Sequence, residues 1–154
     1  MNIRIAEDDA ITLRRLQHFL EKWDHHVVTA VNGEDALDKF MAQDVELVIT
    51  DWMMPEMDGM ELVRRIRSGG SDKPYVYTIL LTSRGEKEDV VKGLSEVGVD
   101  DYVVKPFEPD ELRARLSVGE RTVRLERTLR EYGKGLEKIV RMQTRLIRKI
   151  QEET

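Results

Sequence analysis

The sequence predicts a doubly wound α/β domain with a long helix appended, on three observations. Short apolar runs alternate with amphipathic stretches along the first two thirds of the chain. Two of those runs, ELVIT and VYTILL, are apolar almost throughout, as strands of a parallel sheet covered on both faces must be. After Pro109 one helical pattern continues from Asp110 to about Gln151.

The strands are expected at residues 2–6, 26–30, 46–50, 76–81 and 101–104. Each amphipathic stretch between them presents one apolar face. Residues 11–22 group Leu13, Leu16, Phe19 and Leu20. Residues 34–41, led by Asn32-Gly33, group Ala36, Leu37, Phe40 and Met41. Residues 59–67 group Leu62, Val63 and Ile66, and residues 87–97 group Val90, Val91, Leu94 and Val97. Helices placed after each strand make right-handed crossovers, and a run of such units gives an open parallel sheet. In that architecture ligands bind beyond the carboxyl ends of the strands.

The chain of 154 residues is 40% hydrophobic and 36% charged, which suits a globular domain with an appendage. It has no cysteine, so disulfides, thiolate metal sites and cysteine nucleophiles are excluded. No apolar run approaches the ~18 residues of a membrane span. MNIRIAEDD lacks the basic start and apolar core of a signal peptide, so a cytoplasmic protein without membrane contact is expected. The net charge of −5 conceals an asymmetry: from Arg113 onward the chain carries +6, and the part before it −11. The basic residues alternate with apolar ones at helical spacing and no aromatics are interleaved. They read as the solvated face of a helix rather than as a nucleic-acid surface.

Chemistry gathers at the predicted strand ends. The first strand runs into Glu7-Asp8-Asp9, the third into Asp51, the fourth into Thr82-Ser83 and the fifth into Lys105-Pro106-Phe107. Parallel strands put these ends on one edge, and adjacent strands lie ~4.8 Å apart, so the side chains can converge on one small ligand. Packed carboxylates need a cation to offset their repulsion. Hard oxygen ligands with room for water suit Mg²⁺ carrying a phosphate oxygen, while a lysine and a hydroxyl hold other phosphoryl oxygens.

IAEDD, VITDWMMPEMDG, LLTS and YVVKPF, in that order, resemble the response regulator receiver domain. The match covers roughly residues 2–116. The resemblance implies a flavodoxin-like, five-stranded parallel sheet of order 2-1-3-4-5 over residues 1–120, with residues 121–154 as a helical linker or coiled-coil extension. It implies a two-component response regulator that accepts a phosphoryl group on Asp51 from a sensor histidine kinase or phosphotransfer protein. Glu7 and Asp8 match the acidic pair for Mg²⁺, joined by Asp51 and the backbone carbonyl of Met53. Asp9 is the competing ligand, but its place before Ala10 suits a helix cap. Thr82 matches the switch hydroxyl, Tyr102 the aromatic whose rotamer follows it, and Lys105 the lysine that pairs with a phosphoryl oxygen. Lys105–Pro106 is expected to be cis, Pro55 and Gly59 to shape the loop after Asp51, and Trp52 to cover the site in part. His18, His25 and His26 have no metal-like partners and read as surface or packing residues.

Two flanking positions, Met53 and Arg84, modulate how water reaches the phosphoryl group in this family. Neither is an acid that could orient water, so slow dephosphorylation is expected. The stretch Ser68–Asp72 lengthens the connection into the fourth strand and reads as a surface loop. In the tail, Leu125, Leu129, Tyr132, Leu136, Ile139, Gln143, Leu146 and Ile150 are spaced 4-3-4-3-4-3-4. That heptad seam points to a homodimer, or to a stalk toward an effector domain beyond Thr154, and a helix folded back on its own domain is the plainer alternative. Gly133 and Gly135 weaken the helix by ~1 kcal/mol each. A phosphatase of the haloacid-dehalogenase kind shares the aspartate, Mg²⁺, hydroxyl and lysine, but needs a second Asp where Met53 stands. A third reading, a scaffold that binds partners without phosphorylation, is disfavoured by the intact set of site residues.

Overall fold

A computed structural model describes residues 1–41, 44–68, 73–83 and 93–153. Five strands, β1 (Asn2–Ala6), β2 (His26–Ala30), β3 (Leu47–Asp51), β4 (Tyr77–Thr82) and β5 (Asp101–Val104), form one parallel sheet of order β2-β1-β3-β4-β5. The helices are α1 (Ala10–Lys22), α2 (Gly33–Met41), α3 (Gly59–Arg67) and a C-terminal helix, Pro109–Glu153. The order is the expected one.

Alternation along the strands divides the core into two faces. Ile3, Ile5, Leu47, Ile49, Ile79 and Leu81 pack against Leu16 and Leu20 of α1 and Leu112 and Leu116 of the C-terminal helix. Ala6 and Val48 turn the other way, onto Ala36 and Phe40 of α2 and Leu62 of α3. Leu80 meets Met60 and Val63 of α3 together with Val97 and Val99. Helices on both faces explain why every residue of β3 and β4 is buried.

Two strands run one residue further than the apolar runs suggest. β3 includes Asp51, in register with Leu81, and β4 includes Thr82, in register with Val104. A backbone ladder continues while a neighbour offers partners, whatever the side chain's polarity, so both site residues stand inside the sheet. Of the stretch expected as a helix at residues 87–97, only residues 93–97 are described. They form a π-helical turn that stops at Gly98, whose φ is +88°. Residues 69–72, most of the expected surface loop, lie outside the described residues.

The C-terminal helix stays on the body beyond residue 120. Gly119 lies where a Cβ would fall 2.8 Å from Tyr77 and 2.9 Å from Leu47, and Val123 is buried. One turn later Arg127 donates to the carbonyls of Val45 at 2.9 Å and Tyr75 at 3.4 Å and pairs with Asp44 at 3.2 Å. Past it the helix runs into solvent, with Leu129, Tyr132, Leu136, Ile139, Leu146 and Ile150 exposed.

Gly59 sets the position of the acceptor loop. Its N–H donates to the carbonyl of Trp52 at 2.8 Å, and a Cβ there would sit 2.2 Å from the carbonyl oxygen of Asp51. Gly59→Ala therefore forces the loop off β3. A loss of about 2 kcal/mol or more in urea unfolding is expected, and an unchanged midpoint would count against this account.

Candidate functional site

The site is assembled at the carboxyl edge of β1, β3, β4 and β5. Glu7 follows β1 directly and is held by its N–H, which donates to Ala30 at 3.1 Å. Its side chain is wholly buried, accepting from the N–H of Asp9 at 3.2 Å. Asp9 caps α1, accepting from the N–H of Thr12 at 3.1 Å and its hydroxyl at 2.6 Å. That bonding holds its carboxyl below the usual range and separates its role from that of exposed Asp8.

Lys105 joins the carboxylates. Its Nζ lies 2.9 Å from Asp51 Oδ2 and 3.2 Å from Glu7 Oε1. The peptide to Pro106 is cis, and the N–H of Lys105 donates to the carbonyl of Thr82 at 2.7 Å. Burial alone would lower the ammonium's pKa. The hydrogen bond to Asp51 and the charge of Glu7 outweigh it, so the net shift is upward and the charge is kept.

Carboxylate oxygens of Glu7, Asp8 and Asp51 lie within 4.8 Å of one another. Glu7 Oε2 is buried and has no hydrogen-bond partner. Burial, then the charge of Asp51, push the Glu7 carboxyl up to about 7 against the pull of Lys105. One ammonium does not neutralise three carboxylates. The orphaned oxygen and the hard, close donor set fit a small divalent cation.

The remaining expected residues take the following places. Thr82 is buried at the end of β4. Tyr102, half-buried in β5, packs on the cluster of Met60, Val63 and Val97, with the Arg115 guanidinium 5.8 Å from its ring centre. Trp52 packs into that same cluster. The side chain of Met53 is exposed, at 68%. Arg84 lies outside the described residues. Of the histidines, His25 Nδ1 meets the terminal amine at 3.1 Å and His18 stands edge-on to Phe19.

One supporting contact had no sequence signal. Arg15 of α1 donates to the carbonyl of Phe107 at 3.2 Å and lies 4.5 Å from that ring's centre. Phe107 is buried, edge-on to Phe19. Together they fix the loop that carries Lys105. The pairing joins residues 92 apart in sequence, and neither residue belongs to a periodic pattern that would have revealed it.

In a chelator, the folded protein holds a proton on Glu7 that the unfolded chain releases above about 4.5. The folded state binds more protons between about 4.5 and 7, so stability falls as pH rises through that window, by an amount on the order of a few kcal/mol. Thermal melts in EDTA should show that slope, and Glu7→Gln should flatten it. Equal slopes for both proteins would refute the assignment.

The chain matches the response regulator receiver domain family over residues 3–117. It is 46% identical over 113 residues to a probable transcriptional regulator ycf27 of Cyanophora paradoxa, covering 73% of this chain and 45% of that one. It is 37% identical over 114 residues to the alkaline phosphatase synthesis transcriptional regulatory protein PhoP of Bacillus subtilis, covering 74% and 46%. The chain thus spans about half the length of these relatives. Among solved structures, the Francisella response regulator 1452 receiver domain aligns with a TM-score of 0.70 at 29% identity, covering 79% of this chain and 98% of that one. A probable two-component response regulator/GGDEF domain protein aligns at 0.74 with 26% identity, covering 80% and 50%. Sheet order, strand-end chemistry and sequence agree: the chain belongs to the response regulator receiver domain family.

Proposed function

We propose that Asp51 is the phospho-acceptor of a two-component response regulator and that this chain switches a partner or output module when phosphorylated. The observation that carries the reading is Asp51 Oδ2 at 2.9 Å from Lys105 Nζ, in a pocket where Glu7 and Asp8 stand within 4.8 Å.

In this reading a carboxylate oxygen of Asp51 attacks the phosphorus of a phosphohistidine on a sensor kinase or phosphotransfer protein. The new O–P bond forms as the P–N bond breaks, and its electron pair returns to the imidazole nitrogen. Lys105, oriented by Glu7, pairs with an oxygen of the transferring group. Glu7, Asp8, Asp51 and the Met53 carbonyl would hold Mg²⁺, which when bound neutralises charge at the acceptor. Thr82 then turns its hydroxyl to a phosphoryl oxygen, Tyr102 follows, and the face formed by the helix expected at residues 87–97, β5 and the C-terminal helix rearranges. The chemistry is confined to the chain's own phosphorylation and dephosphorylation.

Three further parts belong to the reading. Residues 1–120 act as the receiver and residues 121–154 as linker, with the exposed heptad seam pairing two copies. In this reading the output is an effector module beyond Thr154: the match covers only 45% and 46% of the length of the relatives named as transcriptional regulators. The site of action is the cytoplasm; no helix among the described residues is long and apolar enough to cross a membrane.

Phosphoramidate, whose P–N bond mimics phosphohistidine, should label the protein only with Mg²⁺, giving a hydroxylamine-labile product. Asp51→Asn should abolish labelling without loss of fold, and Lys105→Ala should slow it by about 10²-fold. Labelling of Asp51→Asn at the wild-type level would overturn the reading. The label should decay over minutes to hours, because exposed Met53 brings no acid to orient water; decay within seconds would refute that part.

A further inference from the structure

We infer that the distal part of the C-terminal helix is a four-helix bundle face through which two dimers of this chain join into a tetramer; this rests on the dimer reading above. At about 100° per residue, Leu125, Leu129, Tyr132 and Leu136 fall within an arc of about 60°. That is the narrow seam of a helix with one partner. From Leu136 on the apolar arc widens to about 160°, bounded by Met142 on one side and Val140 on the other. An arc above about 100° is the face of a helix packed into a bundle core.

The added width lies at the positions flanking the seam. In a parallel pair Met142 of one helix stands beside Ile147 of the other, and Gly135 beside Val140. Such flanks ordinarily carry charges that face water. Here Val140, Met142 and Ile147 are 58%, 59% and 57% exposed, and a second helix covers only their inner edges. Two more helices cover the rest. One heptad of the seam points the same way: Leu136 at the first core position followed by Ile139 at the second is the pairing that favours more than two strands.

The opposite side is a basic ridge of Lys138, Arg141, Arg145, Arg148 and Lys149. Like charge on every copy keeps the ridges apart and in water, so the apolar arc is the surface left for assembly. An anionic membrane would also match this amphipathicity. Two features favour protein. The 4-3 spacing is kept through eight seam positions, which lipid does not require. Gln143 lies at the centre of the arc, where amides of neighbouring copies bond one another in a bundle but meet no partner in hydrocarbon.

Sedimentation equilibrium on the full chain tests this. The wild type should give a tetramer mass, and both Val140→Glu/Ile147→Glu and the milder Val140→Gln/Ile147→Gln should halve it to a dimer with helix content retained. A wild-type dimer, or flank variants that remain tetrameric, would overturn the inference and leave the dimer reading standing. A wild-type monomer would remove both. Flotation with phosphatidylserine–phosphatidylcholine vesicles while the mass in solution stays dimeric would overturn it in favour of a lipid surface.

Discussion

Three carboxylates gathered at one sheet edge repel one another, and the rest of the fold is arranged around holding them there. Asp51 and Glu7 are buried, where like charges are costly, and the ammonium of Lys105 is the group that bridges them. That bridge is possible because β4 lies between β3 and β5. Two strand spacings are about 9.6 Å, a gap that an extended lysine and an aspartate close between them. The sheet order is thus a condition for the charge balance, and the supports around it serve that geometry. Gly59 backs the carbonyl of Asp51, Phe107 and Arg15 anchor the loop after β5, and the cap at Asp9 fixes the turn after Glu7.

Much of this was legible in the sequence, for physical reasons. A strand buried on both faces must be apolar throughout, so β3 and β4 announced themselves. Carboxylates at the ends of such strands are costly unless used, so Asp51 and Glu7 stood out. α3 is legible at residues 59–67 because its apolar period is clean, and the structure adds Asp58 as its cap. What escaped has the opposite character. Ladder ends at Asp51 and Thr82 are decided by neighbouring strands. Arg15 on Phe107 and Arg127 on Val45 and Tyr75 are single long-range pairings without periodicity. The turn at Gly93–Val97 lies inside the stretch expected as a helix, but the apolar spacing over five residues does not separate its π-helical register from an α-helical one.

The C-terminal helix serves two environments in sequence. Its first turns complete the core through Leu112, Leu116 and Val123, so its start is fixed by the same packing that shapes the sheet. Gly119 lets it approach β3 and β4 closely enough for that contact. Beyond Arg127 the same backbone continues with apolar residues that the body does not cover. Gly133 and Gly135 meet nothing there, so neither is required by close packing within the chain.

The grip of Arg127 on Asp44, Val45 and Tyr75, just ahead of β3 and β4, makes the remaining helix a lever. From that fulcrum to Glu153 it extends about 39 Å at 1.5 Å per residue. A tilt of about 5° at the root therefore sweeps its tip by roughly 3 Å, a displacement comparable to a hydrogen-bond length. The mechanical gain comes from length and stiffness alone, and the two glycines set where that stiffness is lowest.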